Sequence, residues 1–121
     1  MKNKKTLILG ASENPGRYSY LALKKLLANN HSIVAIGKKK GRVGDTMISN
    51  ELSNESDIDT VTLYLNPANQ KQYYDYILSL NPKRMIFNPG TENDELENMA
   101  RAKGIAVLEA CTLVMLSTGQ Y

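Results

Sequence analysis

The residues best suited to chemistry gather in one turn near the start of the chain. Gly10-Ala11-Ser12 closes a short apolar run, and Arg17 and Ser19 follow it closely. Glycine lets the backbone turn sharply, a serine hydroxyl can donate to an oxyanion, and a guanidinium grips a phosphate bidentately. A helix beginning here would add free N–H groups and the positive end of its dipole. The spacing therefore predicts a phosphate site, although the glycines do not follow the G-x-G-x-x-G fingerprint.

A cluster of cations further along the chain is the second candidate group. Lys38-Lys39-Lys40 follow Gly37, and Arg42 completes the basic loop. The chain has 15 Lys and Arg against 12 Asp and Glu, so these four cations alone account for its positive balance. A dinucleotide site for NAD usually has an acidic residue here, at the end of the second strand, to hold the ribose hydroxyls. Lysines instead favour a ligand with an extra ribose phosphate, either coenzyme A or NADP, and a merely solvated loop is the alternative.

Few other side chains offer reactivity. Cys111 is the one candidate nucleophile, and a free cysteine is more often a small buried hydrophobe. His31 precedes a predicted strand, at the edge opposite the candidate site, so we do not expect it to be catalytic. The spacing of His, Cys and acidic residues indicates no metal site. These observations favour a binding module over an enzyme.

Five short apolar segments alternate with three amphipathic ones. The apolar segments predict strands at residues 5–9, 32–36, 60–65, 84–87 and 105–108, and the amphipathic ones predict helices at 17–30, 67–80 and from 91–94 to 104. Residues 43–59 are predicted to be a polar connection. The alternation predicts a single α/β domain over residues 1–121, a Rossmann-like, doubly wound parallel sheet of about five strands in the order 3-2-1-4-5.

The special residues all follow the carboxyl ends of these predicted strands, where such sheets bind ligands. In chain order they are Gly10 with Ala11, Ser12, Arg17 and Ser19; Gly37 with Lys38, Lys39 and Lys40; Asn66-Pro67; Asn88-Pro89-Gly90; and Cys111. Turns at the opposite edge look like ordinary connections. One ligand-binding edge is therefore expected.

In this pattern the chain resembles the small CoA-binding proteins of the Rossmann-like kind, which are related to the N-terminal domain of the succinyl-CoA synthetase alpha subunit. The resemblance rests on the Gly10-to-Ser19 turn with Pro15, the Gly-Lys turn with Gly44, Asn66-Pro67, Asn88-Pro89-Gly90 and Cys111. It implies that Gly10, Ser12 and Arg17 hold phosphates and that Lys38 to Lys40 meet the charge of the nucleotide. It also implies that the two Asn-Pro turns line the adenosine or pantetheine path.

Composition and charge also limit the location of the protein and the partners that it could bind. No apolar run approaches the roughly 18 residues that cross a bilayer, and a single cysteine cannot form an internal disulfide, so we expect a cytoplasmic protein with no membrane partner. The basic loop lacks interleaved aromatic residues, so nucleic acid is not expected to bind. A homodimer or an unidentified protein partner is possible. The alternatives to a CoA-binding module are an NADP-binding oxidoreductase, or a fragment of one, and a protein-interaction domain with an empty cleft.

Overall fold

Seven strands form within residues 2–121, the part of the chain that the computed structural model describes. They are β1 (Thr6–Leu9), β2 (Ile33–Ile36), β3 (Gly41–Val43), β4 (Thr46–Ser49), β5 (Thr60–Leu63), β6 (Arg84–Phe87) and β7 (Ala106–Glu109). The helices are α1 (Tyr18–Ala28), α2 (Pro67–Gln70), α3 (Tyr74–Leu80), α4 (Asp94–Ala102) and α5 (Thr112–Ser117), with a 3₁₀ turn at Lys71–Tyr73.

The sheet has the order β3-β4-β2-β1-β5-β6-β7, and only β3 pairs antiparallel among the described strands. The predicted α/β class and doubly wound sheet are confirmed. The predicted number of about five strands is wrong, because β3 and β4 lie in the segment read as a polar connection. Both strands are short, β3 is the edge strand and Met47 of β4 is 61% exposed, so no buried apolar run marks them in the sequence.

The predicted strand order is wrong for the same reason. β5 was expected beside β2 but pairs with β1, in the register Thr6 to Thr60, and β4 occupies the place beside β2. Counted without the antiparallel β3, the strands follow the order 3-2-1-4-5-6 of a dinucleotide-binding fold. The point where the strand order reverses is therefore at β1, next to the Gly10 turn.

Two cores form because successive side chains of a strand point to opposite faces of the sheet. Leu7 and Leu9 pack with residues of α3 and α4 on one face, whereas Ile8 packs with α1 and α5 on the other. All four β1 side chains are completely buried. The central strand is thus held from both sides, which fixes the position of the turn that follows it.

The helices differ from prediction in detail. The helix expected over residues 67–80 is interrupted by the 3₁₀ turn, and the helix expected to start at 91–94 starts at Asp94, with the Asn93 side chain as its cap. Within residues 2–121, no helix has the length and apolar character needed to cross a membrane.

Candidate functional site

Two glycines bring three strand ends together at the carboxyl edge of the sheet. Gly10 has φ +97°, and a Cβ there would lie 2.9 Å from the carbonyl carbon of Tyr64. A Cβ on Gly37 would lie 2.2 Å from the carbonyl oxygen of Ala11. The N–H groups of Gly10 and Ala11 both donate to the Ile36 carbonyl, at 2.8 and 3.0 Å. Side chains at either glycine would push the ends of β1, β2 and β5 apart.

The loop between β1 and α1 is closed by its own hydrogen bonds. The Asn14 N–H donates to Ser12 Oγ at 3.0 Å, and the Gly16 N–H donates to Asn14 Oδ1 at 2.9 Å. The Arg17 N–H in turn donates to the Asn14 carbonyl at 3.0 Å. The Ser12 oxygen accepts this hydrogen bond, and its hydroxyl hydrogen can still be donated to another acceptor. The loop that was predicted to meet phosphate is therefore held in a defined shape by its own hydrogen bonds.

The N-terminus of α1 opens at the end of this loop. Arg17 is the N-cap, with extended backbone, and within the described chain no side chain caps this end. The guanidinium-bearing Arg17 is exposed, whereas Ser19 is buried. N–H groups at an uncapped helix start favour an anion, and the phosphate site at this turn stays a prediction.

The basic loop is exposed, and an acidic side chain reaches its far end. Lys38, Lys39 and Lys40 all lie at the surface. Glu13, from the β1–α1 loop, accepts a hydrogen bond from the Arg42 N–H through Oε2 at 3.1 Å. This contact was not predicted, and it needs the absence of a side chain at Gly41, where a Cβ would lie 2.8 Å from the same oxygen.

A cleft of ≈ 260 Å³ lies on the other side of the Gly10 turn. It is lined by Tyr18, Tyr64, Asn88, Pro89, Cys111 and Leu113. Three of these were predicted site residues that the fold brings together from β6 and the segment after β7. The sequence reasoning missed Tyr18, Tyr64 and Leu113. Tyr18 directly follows Arg17, Tyr64 directly follows β5, and Leu113 lies two residues after Cys111, so proximity to predicted site residues or strand ends was the available signal.

The polar floor of the cleft is occupied by bonds within the protein. Asn88 is only 2% exposed, and its amide donates to Thr62 Oγ1 at 2.7 Å and to the Leu63 carbonyl at 2.9 Å. Its Oδ1 accepts the Thr112 N–H at 2.8 Å, and the hydroxyls of Thr62 and Thr112 share a hydrogen bond of 2.8 Å. Asn88 therefore joins β5, β6 and α5, and its side-chain donors and its oxygen are all bonded within the protein.

Tyr64 presents its ring to the cleft and buries its hydroxyl. Among the described residues this buried oxygen has no hydrogen-bond partner of normal geometry. Burial raises the pKa of Tyr64 well above its usual range, and the nearby hydroxyls of Thr112 and Thr62 oppose the rise only in part. The group remains a neutral phenol at physiological pH.

The remaining predicted residues lie at the same edge but outside the lining of the cleft. Asn66 accepts the Asn69 N–H at 3.0 Å as the N-cap of α2, and Pro67 occupies its first turn. Gly90 has φ +91° and donates its N–H to the Glu92 carboxylate at 2.9 Å. Each of these residues shapes a turn, and their roles toward a ligand stay predictions.

Three carboxylates cluster near the end of β7, where the sequence spacing gave no sign of them. Asp94, Glu97 and Glu109 place carboxylate oxygens within 4.8 Å of one another. The buried Glu97 accepts the Asn93 N–H at 3.0 Å and pairs with Arg101 at 3.5 Å. Sharing a hydrogen bond with Glu97, and facing its charge, raises the pKa of Glu109. Glu97 is thus part of the capping of α4, and Glu109 belongs to β7.

A larger cavity of ≈ 550 Å³ opens at the opposite edge of the sheet, among residues before β1, β2, β5 and β6. It lies away from every predicted ligand residue, and both acidic and basic side chains line it. His31 lies near this edge, where Nδ1 accepts the Lys4 N–H at 2.9 Å and the ring meets Tyr121 at 4.9 Å. Size alone therefore does not identify the functional edge.

Comparison with known proteins supports the assignment of the domain. No curated protein matches the chain significantly. A crystal structure of an uncharacterized protein is 52% identical, with a TM-score of 0.97 over 100% of both chains. A hypothetical protein from Pyrococcus horikoshii OT3 is 22% identical, with a TM-score of 0.86 over 97% of this chain and 84% of that one.

An oxidoreductase from Bacillus cereus shares the fold at 17% identity and a TM-score of 0.60, over 88% of this chain and 34% of that one. Residues 4–117 match the family model described as a CoA binding domain. That match covers nearly all of the chain. The chain belongs to the CoA binding domain family.

Proposed function

We propose that this protein binds coenzyme A or an acyl-CoA at the carboxyl edge of the sheet, as a binding module without catalysis of its own. The ribose 3′-phosphate lies at Lys38 to Lys40 in this proposal. The pyrophosphate meets the Gly10-to-Arg17 turn and the start of α1, and the pantetheine arm runs past Asn88 and Pro89 toward Cys111.

The observation that carries the proposal is the order of charged and uncharged features along this edge of the sheet. Cations lie beyond β2, an uncapped helix N-terminus lies beside β1, and the Cys111 cleft lies beyond β5. Coenzyme A has the same order along its length, from a phosphorylated nucleotide to an uncharged thiol arm. Charge complementarity of this kind fixes the direction in which a ligand lies.

NADP is the competing ligand, because its 2′-phosphate would suit the same lysines. Its nicotinamide carboxamide would reach the cleft, where a buried polar group needs hydrogen-bond partners. The amide of Asn88 is already engaged by Thr62, Leu63 and Thr112. The similarity to an oxidoreductase concerns the fold alone. Because the Asn88 amide is not available to the carboxamide, the cleft favours coenzyme A over NADP.

The lining of the cleft supports binding rather than catalysis. Among the described residues that line it, none is charged and none is a histidine. Acid–base or nucleophilic catalysis needs such a group within hydrogen-bond reach of the reacting atoms. Cys111 is present, but no base lies with it in the lining. We also propose a cytoplasmic location, where this thiol would stay reduced.

Calorimetric titration of ligand-free protein tests the proposal, with CoA, dephospho-CoA and NADP in parallel. We expect CoA to bind more tightly than both others, because only it places a phosphate on the ribose 3′ oxygen. Arg17→Ala and Lys39→Ala should each weaken CoA binding about fivefold and reduce its salt dependence. Lys83→Ala removes one exposed cation at the opposite edge and serves as the matched control.

The outcomes separate the candidate functions. Tighter binding of NADP would favour the oxidoreductase hypothesis. The absence of binding by all three ligands, with protein shown to be folded and ligand-free, would remove the proposed function.

A further inference from the structure

We propose that the cleft between Tyr18 and Leu113 takes the acyl group of an acyl-CoA thioester, and that it prefers short, uncharged acyl chains. The inference rests on the proposed CoA binding and extends it from the nucleotide to the other end of the ligand. It also predicts that the protein binds acyl-CoA more tightly than free CoA.

The surface of the cleft is suited to hydrocarbon. Two tyrosine rings, Pro89 and Leu113 supply apolar walls. The polar atoms of Asn88 are bonded to Thr62, Leu63 and Thr112, and the Tyr64 hydroxyl is turned into the protein. The hydrocarbon part of an acyl group needs no hydrogen bond, so it can cover these walls without burying a further unpaired polar group.

The volume of the cleft suits one end of a ligand rather than a whole one. At ≈ 260 Å³ it falls below the roughly 300–1,000 Å³ of sites that enclose complete small molecules. The bulk of the ligand must then lie outside it, along the edge of the sheet. A short acyl group attached to the pantetheine arm meets that requirement.

Two residues that line the cleft, Tyr64 and Tyr18, adjoin the predicted phosphate turn. The backbone of Tyr64 lies so close to Gly10 that a Cβ there would be 2.9 Å from it. Tyr18 directly follows Arg17 at the start of α1 and is 73% exposed. If the phosphates of a ligand bind at this turn, the part of the ligand that extends toward β5 therefore reaches the cleft.

An acyl group with its own carboxylate fits poorly. Of the cations proposed to meet phosphate, Lys38 to Lys40 follow β2, on the far side of the Gly10 turn, and Arg17 is the N-cap of α1. None of these cations lines the cleft among the described residues. Burying a carboxylate without a cation or a hydrogen-bond donor is costly. Butyryl-CoA and succinyl-CoA differ at the end of a four-carbon acyl group, so they form a matched pair for this distinction.

Titration of the full chain with CoA and with acetyl-, butyryl-, hexanoyl- and succinyl-CoA tests the inference. Affinity should rise about threefold to fourfold for each added methylene until the cleft is filled. Butyryl-CoA should bind at least about tenfold more tightly than succinyl-CoA. Equal affinities for CoA and the acyl series, or tighter binding of succinyl-CoA, would overturn the inference and leave CoA binding intact.

Two neighbouring positions on α5 provide the variant and its control. Leu113→Gln should reduce the ratio of butyryl-CoA affinity to CoA affinity toward one, because it places an amide in the apolar wall. Val114→Gln makes the same kind of change at a site that is 56% exposed and outside the lining, so the ratio should not change. Tyr18→Ala, at an exposed position, repeats the test if Leu113→Gln fails to fold. Equal loss of the ratio in the Val114 variant would contradict the assignment, and absence of all binding by the unaltered protein would overturn it together with the proposed function.

Discussion

Glu13 connects two loops that were predicted to act separately. Its carboxylate accepts the Arg42 N–H at the end of the basic loop, although it belongs to the turn after β1. Gly41 leaves the room for this contact. A fixed negative charge thus stands between the two groups proposed to meet phosphate, where it offsets part of their positive potential.

Glu13→Gln should tighten the binding of CoA about threefold, since the amide oxygen can keep the bond from Arg42 while the charge is lost. Dephospho-CoA should gain less, because it lacks the 3′-phosphate. Calorimetry at low salt measures both effects. Asp45→Asn removes one charge from the β3–β4 turn, at the other edge of the sheet, and should leave both affinities unchanged. Unchanged or weaker CoA binding by the Glu13 variant would mean that the phosphate lies elsewhere.

At the scale of elements, Asn88 joins three of them through one side chain. It follows β6, donates to Thr62 and Leu63 of β5, and accepts from the first residue of α5. An amide offers two N–H donors and one oxygen, and here all of them are engaged. Its fixed position holds the floor of the cleft at the ends of these elements.

Asn88→Ala should lower the free energy of unfolding by about 3 kcal/mol, because it leaves buried donors and acceptors of three elements unpaired. Urea denaturation followed by circular dichroism measures the loss. Asn98→Ala is the matched control on the exposed face of α4 and should change stability by less than about 0.5 kcal/mol. A similar small change at Asn88 would show that water replaces its bonds and that the three elements are held by other contacts.

At the scale of the whole molecule, the two edges of the sheet carry different kinds of residues and contacts. The carboxyl edge carries the glycine turns, the basic loop and the cleft. Near the amino edge, the Tyr121 ring lies 4.2 Å from the Arg84 guanidinium carbon and 4.9 Å from His31, and its hydroxyl bonds with Thr6. These buried contacts tie distant parts of the chain together, so we assign them to stability.

Stability should consequently fall as the solution becomes mildly acidic. Burial, with help from the charges of Lys4 and Arg84, lowers the pKa of His31 from 6.5 in the folded state. Below that pH the unfolded chain takes up a proton that the folded chain resists, so the free energy of unfolding decreases with falling pH. The loss from this residue is at most about 1.4 kcal/mol at pH 5.5.

Urea denaturation at pH 7 and pH 5.5 measures this dependence. His31→Asn keeps an acceptor for the Lys4 N–H but cannot titrate, so it should lose less stability than the unaltered protein between the two pH values. CoA affinity, measured by calorimetry at pH 7, should stay the same because the residue is remote from the carboxyl edge. An equal loss in both proteins would mean that His31 is not the titrating group.

The amino-acid sequence by itself determined the alternation of buried strands and amphipathic helices, and hence the α/β class and the edge where special residues gather. Apolar runs such as Leu7 to Leu9 report their burial directly, because strands covered on both faces have no polar side to alternate with. The edge strand β3 and its neighbour β4 have a weaker pattern in the sequence. Gly44-Asp45 marks a tight hairpin between them, but the flanking strands are too short and polar to be recognised.

Tertiary structure alone decided which of the strand-end residues meet. It placed Tyr18, Tyr64 and Leu113 around Cys111, laid Glu13 against Arg42 and engaged the side chain of Asn88 within the protein. The spacing of residues in the sequence gives only their separation along the chain. These contacts depend instead on the strand order and on the packing of α5 against α1. Such contacts join residues far apart in sequence, and their geometry exists only when the parallel strands are assembled side by side.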